Sequence, residues 1–356
     1  VSGGRGGVLR LGVLGLGVAG AGVIGGLAAE RALVRRLREA PDPAIGEDQV
    51  VGSEVVVREV LAGDGARLRV LDHGTGRPVM LLHGVTLSAD IWHYQLDELA
   101  RAGLRVLALD LRGHGRSEAG DGRLTLARLA GDVDEVLRQL DLEDVVLVGH
   151  SMGGMVALRY LSADPGRAAG LDRVSALALV ATSASPVGGS GVPGAAALAA
   201  VVRPLAARSA WLTSRLPGPS LPGNDLAFLL TRVVFGDRPS ASQVALTEKI
   251  TAAVPARVTA ELLADIVGFD EATALGRVDL PATVVVGTND VMTPIRHARA
   301  MVDLIGGAEL VVLEGCGHMV MLERHEELSD VVGALAGRSV SKRSVTGRSA
   351  GGPSAG

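Results

Sequence analysis

Apolar and polar positions along this chain follow two rhythms, and the places where one gives way to the other mark its organisation. From about Ser53 onward, short runs rich in Val, Leu and Ile recur: Val55–Leu61, Leu68–Asp72, Val79–His83, Val106–Asp110, Val145–Gly149, Ala176–Val180, Thr283–Gly287 and Leu310–Leu313. Several are apolar without interruption, as expected for strands of a parallel sheet with both faces covered. Between most of them apolar residues return at helical spacing, notably over Thr125–Leu140, Met152–Ala163 and Pro294–Ile305. This alternation predicts an α/β fold, with a mostly parallel central sheet flanked by helices.

The alternation stops between about Pro186 and Thr273. A Gly/Pro-rich stretch from Pro186 to Gly194 leads into helical segments with no convincing strand, and the strand pattern resumes near Pro281. A helical insert between two strands of one sheet predicts a cap over the C-terminal sheet edge, where open α/β folds bind ligands. The expected organisation is an N-terminal segment and linker over residues 1–52, an α/β domain over 53–337 with its cap at about 186–273, and a disordered tail over 338–356. The tail is Ser, Gly, Arg and Lys with almost nothing to bury.

The N-terminus has its own pattern. From Leu11 to Ala29 there is no charged residue. As a helix this run would reach about 28 Å, close to the hydrocarbon thickness of a bilayer. Gly22 and Gly26 form a G-x-x-x-G pair of the kind that brings membrane helices together. Arg5 and Arg10 precede the run, and the heavier cluster of Arg31, Arg35, Arg36 and Arg38 follows it. The positive-inside rule keeps that cluster cytoplasmic. A membrane anchor through residues 11–29 is therefore expected, with the catalytic domain facing the cytoplasm. Two readings stand beside it: a cleaved signal ending near Ala19-Gly20-Ala21, giving a secreted protein, and a helix packed on the domain. The same stretch, Gly15-Leu16-Gly17-Val18-Ala19-Gly20, fits G-x-G-x-x-G. It lacks the strand, helix and distant acid of a dinucleotide site, so it reads as a decoy.

Composition adds little beyond this. Apolar residues make up 47% but aromatics only 2%, so the core is aliphatic. A net charge of -4 gives no basic patch for nucleic acid. Cys316 is the one cysteine, which excludes an internal disulfide and reads as packing. No His-Glu-x-x-His is present, and neither metal nor cofactor is expected.

The chemistry concentrates in a few turns. Gly149-His150-Ser151-Met152-Gly153 follows an apolar strand and opens an apolar helix. That is the setting of a nucleophile elbow, in which glycines permit a tight turn and the serine hydroxyl is presented freely. A serine needs a base. Of eight histidines, His73, His93, His297 and His325 read as surface or helix positions, and His83, His114 and His150 read as serving Gly-flanked turns. His318 lies in the turn after the last strand, over the sheet edge where Ser151 emerges. Asp290 follows the strand Thr283–Gly287 and is the carboxylate expected to orient His318. The oxyanion donors are expected at the backbone N–H groups of Met152 and of Val85, the latter in His83-Gly84-Val85-Thr86. Trp92 and Gln95 open the next helix and read as packing, with contact to substrate as the alternative.

These segments, with Asp110-Leu111-Arg112-Gly113-His114-Gly115-Arg116-Ser117 and Gly317-His318-Met319, make the chain resemble the α/β-hydrolase superfamily, in its fold-1 branch, from about Val56 to Leu335. The resemblance implies esterase, lipase or lysophospholipase, C–C hydrolase, cofactor-free haloperoxidase or acyltransferase activity. Epoxide hydrolases and haloalkane dehalogenases of the superfamily carry Asp where this chain has Ser151, which disfavours those chemistries. The expected function is a serine hydrolase that cleaves a small apolar carboxylic ester or related acyl substrate through an acyl-enzyme. The alternatives are a receptor-like ligand-binding protein with little turnover, and a haloperoxidase or C–C hydrolase using the same triad.

Overall fold

The computed structural model describes residues 54–162, 173–186, 231–276 and 278–346. Eight strands form one sheet: β1 (Val56–Leu61), β2 (Arg67–His73), β3 (Arg77–Leu82), β4 (Leu104–Leu109), β5 (Val145–His150), β6 (Val174–Val180), β7 (Ala282–Gly287) and β8 (Glu309–Leu313). Their order is β1-β2-β4-β3-β5-β6-β7-β8. β2 runs antiparallel to β1 and β4, and every other pairing is parallel.

The core divides by strand parity, because successive side chains point to opposite faces. Val145 and Leu147 join Leu82, Leu177 and Val284 on one face. Val146 and Val148 join Leu81, Ala178 and Val285 on the other. The first face is covered by α2 (Leu126–Gln139), α3 (Met152–Ser162) and α7 (Ile295–Leu304). The second is covered by α1 (His93–Arg101) and α9 (His325–Thr346). β5 is buried at every position, so it occupies the centre of the molecule as well as of the sheet. Ser240 and Gln243 form a reciprocal capping box at the start of α4 (Ala241–Ala253), which is followed by α5 (Ala256–Ile266) and the single turn α6 (Ala272–Leu275). These helices fall within the span expected to form a cap. Residues 187–230 of that span lie outside the described residues.

The expectation of a membrane-anchored protein is corrected. Among the described residues no helix is long and apolar enough to cross a membrane. The longest, α9, carries Glu326, Glu327, Asp330 and Arg338 and is held to the sheet by one apolar stripe that includes Leu328, Val332 and Leu335. Residues 11–29, on which the anchor and the cytoplasm-facing placement rested, lie outside the described residues. The membrane placement is accordingly withdrawn.

Candidate active site

In a parallel sheet all strands end at the same edge, and every predicted site residue follows such an end. Ser151 follows β5, Val85 follows β3, Asp290 follows β7 and His318 follows β8. β3 is the immediate neighbour of β5, so the Val85 loop lies beside Ser151.

Ser151 adopts φ 52°, a left-handed conformation unusual for a residue with a side chain. The turn is held from both sides. Its N–H donates to Val180 C=O at 3.0 Å, and its C=O accepts from the Thr182 hydroxyl at 2.7 Å and the Gly154 N–H at 3.0 Å. The flanking glycines are there because the backbone is crowded. A Cβ on Gly149 would lie 2.5 Å from the Gly153 carbonyl oxygen, and one on Gly153 would lie 2.2 Å from that of Leu82.

His318 is 6% exposed, and its Nδ1 lies 2.9 Å from Asp290 Oδ2. An ionised carboxylate only accepts, so Nδ1 carries the proton and Nε2 is left with its lone pair. The second oxygen of Asp290 accepts from the N–H groups of Met292 (2.8 Å) and Thr293 (2.9 Å), while the Thr293 hydroxyl donates to Oδ2 at 2.7 Å. Burial opposes the charge on Asp290. The facing His318 and these donors outweigh it and hold the carboxyl well below the usual carboxylate range. The two loops are also tied by backbone: Asn289 N–H donates to Cys316 C=O at 2.9 Å.

No acceptor among the described residues takes the Met152 or Val85 N–H. The Val85 loop turns back through Leu87 N–H to Gly84 C=O, with Thr86 at φ 63°. His83 fastens it: Nδ1–H donates to Gly84 C=O at 2.8 Å, and Nε2 accepts from Leu111 N–H at 3.0 Å. Burial holds its pKa down at about 4, so the imidazole is neutral in this role. Gly84, Val85, Ser151, Met292, His318 and Met319 line one cleft, together with Thr247 and Thr251 of α4.

The structure thus brings Ser151, His318, Asp290, Val85 and Met152 to one place. Sequence reading missed several supports. His93 and His297, read as surface or helix positions, are on helices but 9% exposed, and His297 Nδ1 pairs with the Ser183 hydroxyl at 2.8 Å. Glu323 binds the N–H groups of Gly236 and Gly317, pinning the His318 turn to the segment entering α4. No local sequence signal joins positions so far apart. The Asp110–Ser117 motif is a fastener too: Asp110 takes the Ala89 and Arg116 N–H groups and pairs with Arg69 at 3.0 Å. Trp92 and Gln95 are fully buried. Burial pushes the Cys316 thiol up, making it inert.

An eight-stranded sheet of this order with a strained serine at its centre defines a class of α/β enzyme. The sequence matches the family described as alpha/beta hydrolase fold over residues 77–325, and the chain belongs to that family. It is similar to the non-heme chloroperoxidase CPO-A1 of Kitasatospora aureofaciens, 32% identical over 267 residues that cover 73% of this chain and 91% of that protein. Among solved structures, a thermophilic esterase from Thermogutta terrifontis has a TM-score of 0.66 and 26% identity, covering 81% of this chain and 99% of that one. An esterase from Exiguobacterium antarcticum has a TM-score of 0.67 over 79% of this chain and 99% of its own; at 24% identity it bears on the fold alone.

Proposed function

We propose that this hydrolase cleaves a small apolar carboxylic ester or related acyl compound through an acyl-enzyme. Ser151 is the nucleophile, His318 the base and Asp290 the residue that orients it. The observation that carries the reading is the Asp290-bound His318 sharing one cleft with the strained Ser151. His318 Nε2 takes the hydroxyl proton as Ser151 Oγ attacks the carbonyl carbon. The oxyanion falls to the Val85 and Met152 N–H groups. His318 returns the proton to the departing alcohol, and a water activated in the same way releases the acid. Val85, Leu87, Val234, Met292 and Met319 make most of the cleft wall apolar, which suits an aliphatic acyl chain.

The test is a series of p-nitrophenyl esters of graded chain length with a fluorophosphonate probe. Turnover with labelling at Ser151, both lost in Ser151→Ala, is expected. Undiminished labelling of the alanine variant would remove Ser151 from the mechanism. A protein that neither labels nor turns over would be the receptor-like ligand binder instead. A second reading rests on the chloroperoxidase relative. Hydrogen peroxide in place of water would release a peroxy acid from the acyl-enzyme, and that acid would oxidise halide. Halogenation dependent on both peroxide and a carboxylate, at a higher rate than ester hydrolysis, would favour it.

A further inference from the structure

His318 is carried by the turn after β8, yet it must meet a serine that emerges from β5, with β6 and β7 between them. Its backbone and side chain are held at three points. The N–H donates to Val234 C=O at 2.8 Å, Nδ1 donates to Asp290, and the C=O of His318 lies 2.9 Å from His150 Nε2. The third is unlike the others, because His150 is the residue immediately before the nucleophile. We propose that His150 is a positioning residue. Its Nε2–H bond to the His318 carbonyl ties the turn after β8 directly to the nucleophile's own turn, and so sets the distance between base and nucleophile without passing through the loop after β7. This rests on the reading of His318 as base.

A carbonyl only accepts, so His150 carries its proton on Nε2 and its Nδ1 is bare. No group among the described residues partners that Nδ1, and the ring is 1% exposed, wedged edge-to-face against Trp92 at 6.4 Å between centroids. Burial limits the room the ring has to swing, which favours one direction for the bond it makes. Neutrality also matters. The two imidazole rings lie 4.8 Å apart, and a charge on His150 would oppose the imidazolium that forms on His318 during attack. Burial, followed by the facing His318, keeps His150 uncharged far below its ordinary range.

Gln and Asn variants separate position from packing. The Gln amide nitrogen is as many bonds from Cα as His Nε2 and can replace the donor, whereas the Asn nitrogen is one bond short. His150→Asn should lose roughly 10- to 100-fold in kcat for a p-nitrophenyl ester with KM within about twofold, as expected when reacting groups are displaced by about 1 Å. His150→Gln should recover most of that loss at matched thermal stability. Equal kcat in wild type, Gln and Asn would overturn the proposal, and so would a Gln variant no better than Asn. Nitrogen NMR of the ring in the wild-type protein gives a measurement free of folding effects. A protonated Nε2 and bare Nδ1 on His150 are expected, and the opposite tautomer refutes the bond. His318→Ala is the separate control: retained turnover there would sink the base assignment itself.

Discussion

At Ser151 the chain adopts a backbone conformation that costs on the order of 1–3 kcal/mol for a residue with a Cβ. The elbow's hydrogen bonds and close packing offset that cost, and the hydroxyl is presented in return. Replacing the residue should therefore separate stability from chemistry. Ser151→Gly relieves the left-handed strain and should raise unfolding free energy by about 1 kcal/mol relative to Ser151→Ala, with both variants inactive. Urea denaturation of the pair decides it, and equal stabilities would mean the turn is not strained. In the proposed mechanism Asp290 acts through tautomer control. Asp290→Asn keeps the geometry but can donate to His318 Nδ1, moving the imidazole proton to Nε2. Turnover should fall on the order of ten-thousand-fold. A loss of only about twofold in steady-state hydrolysis would send the orienting role to another acid. At this scale the sequence was legible where spacing and strand context combine, as at Ser151, Asp290 and His318. It read His150 as serving its own turn and gave no sign of the partner carbonyl 168 residues away.

Among elements, β3, β5 and α3 meet in close backbone contact. The first turn of α3 is pressed so close to the end of β3 that a Cβ on Gly153 would also meet the His83 carbonyl oxygen at 2.7 Å. Both are backbone contacts, with no flexible side chain to move aside. Gly153→Ala should cost about 3 kcal/mol or more, within the range of severe steric changes. Gly131, within α2, has nothing within 4 Å of its would-be Cβ. There Ala should stabilise by about 0.8–1 kcal/mol through helix propensity. Chemical denaturation of the two variants should move in opposite directions, and a shared sign would contradict the packing account. The strands were legible, the inner ones such as β5 and β7 as nearly uninterrupted apolar runs with both faces covered, and β1 and β2 as β-rich runs broken by charge. Their order was not. Nothing local in Arg67–His73 says that it reverses direction or that β3 crosses to the far side of β4. The apolar run at residues 11–29 lies outside the described residues.

For the molecule as a whole, buried neutral histidines make stability depend on pH. His83 and His114 have pKa values lowered to about 4 and about 3 by burial, against an ordinary 6.5. Below that ordinary value the unfolded chain binds protons that the folded chain refuses. Their contribution is therefore complete above about pH 6.5 and is lost as pH falls toward the folded values, by roughly 3 kcal/mol for His83 alone. Unfolding free energy should drop between about pH 7 and pH 5, before the carboxylates titrate. His83→Asn should flatten the slope, and a wild-type profile level across that window would show that these rings are protonated when folded. The turn that carries His318 also bears on the motions of the fold. Cys316, the single thiol of the chain, is 1% exposed and two residues from His318. A thiol-reactive dye cannot reach it while the turn is closed, and no second sulfhydryl contributes background. The dye's uptake in native buffer therefore counts openings of this turn, timing how often the protein lets go of His318.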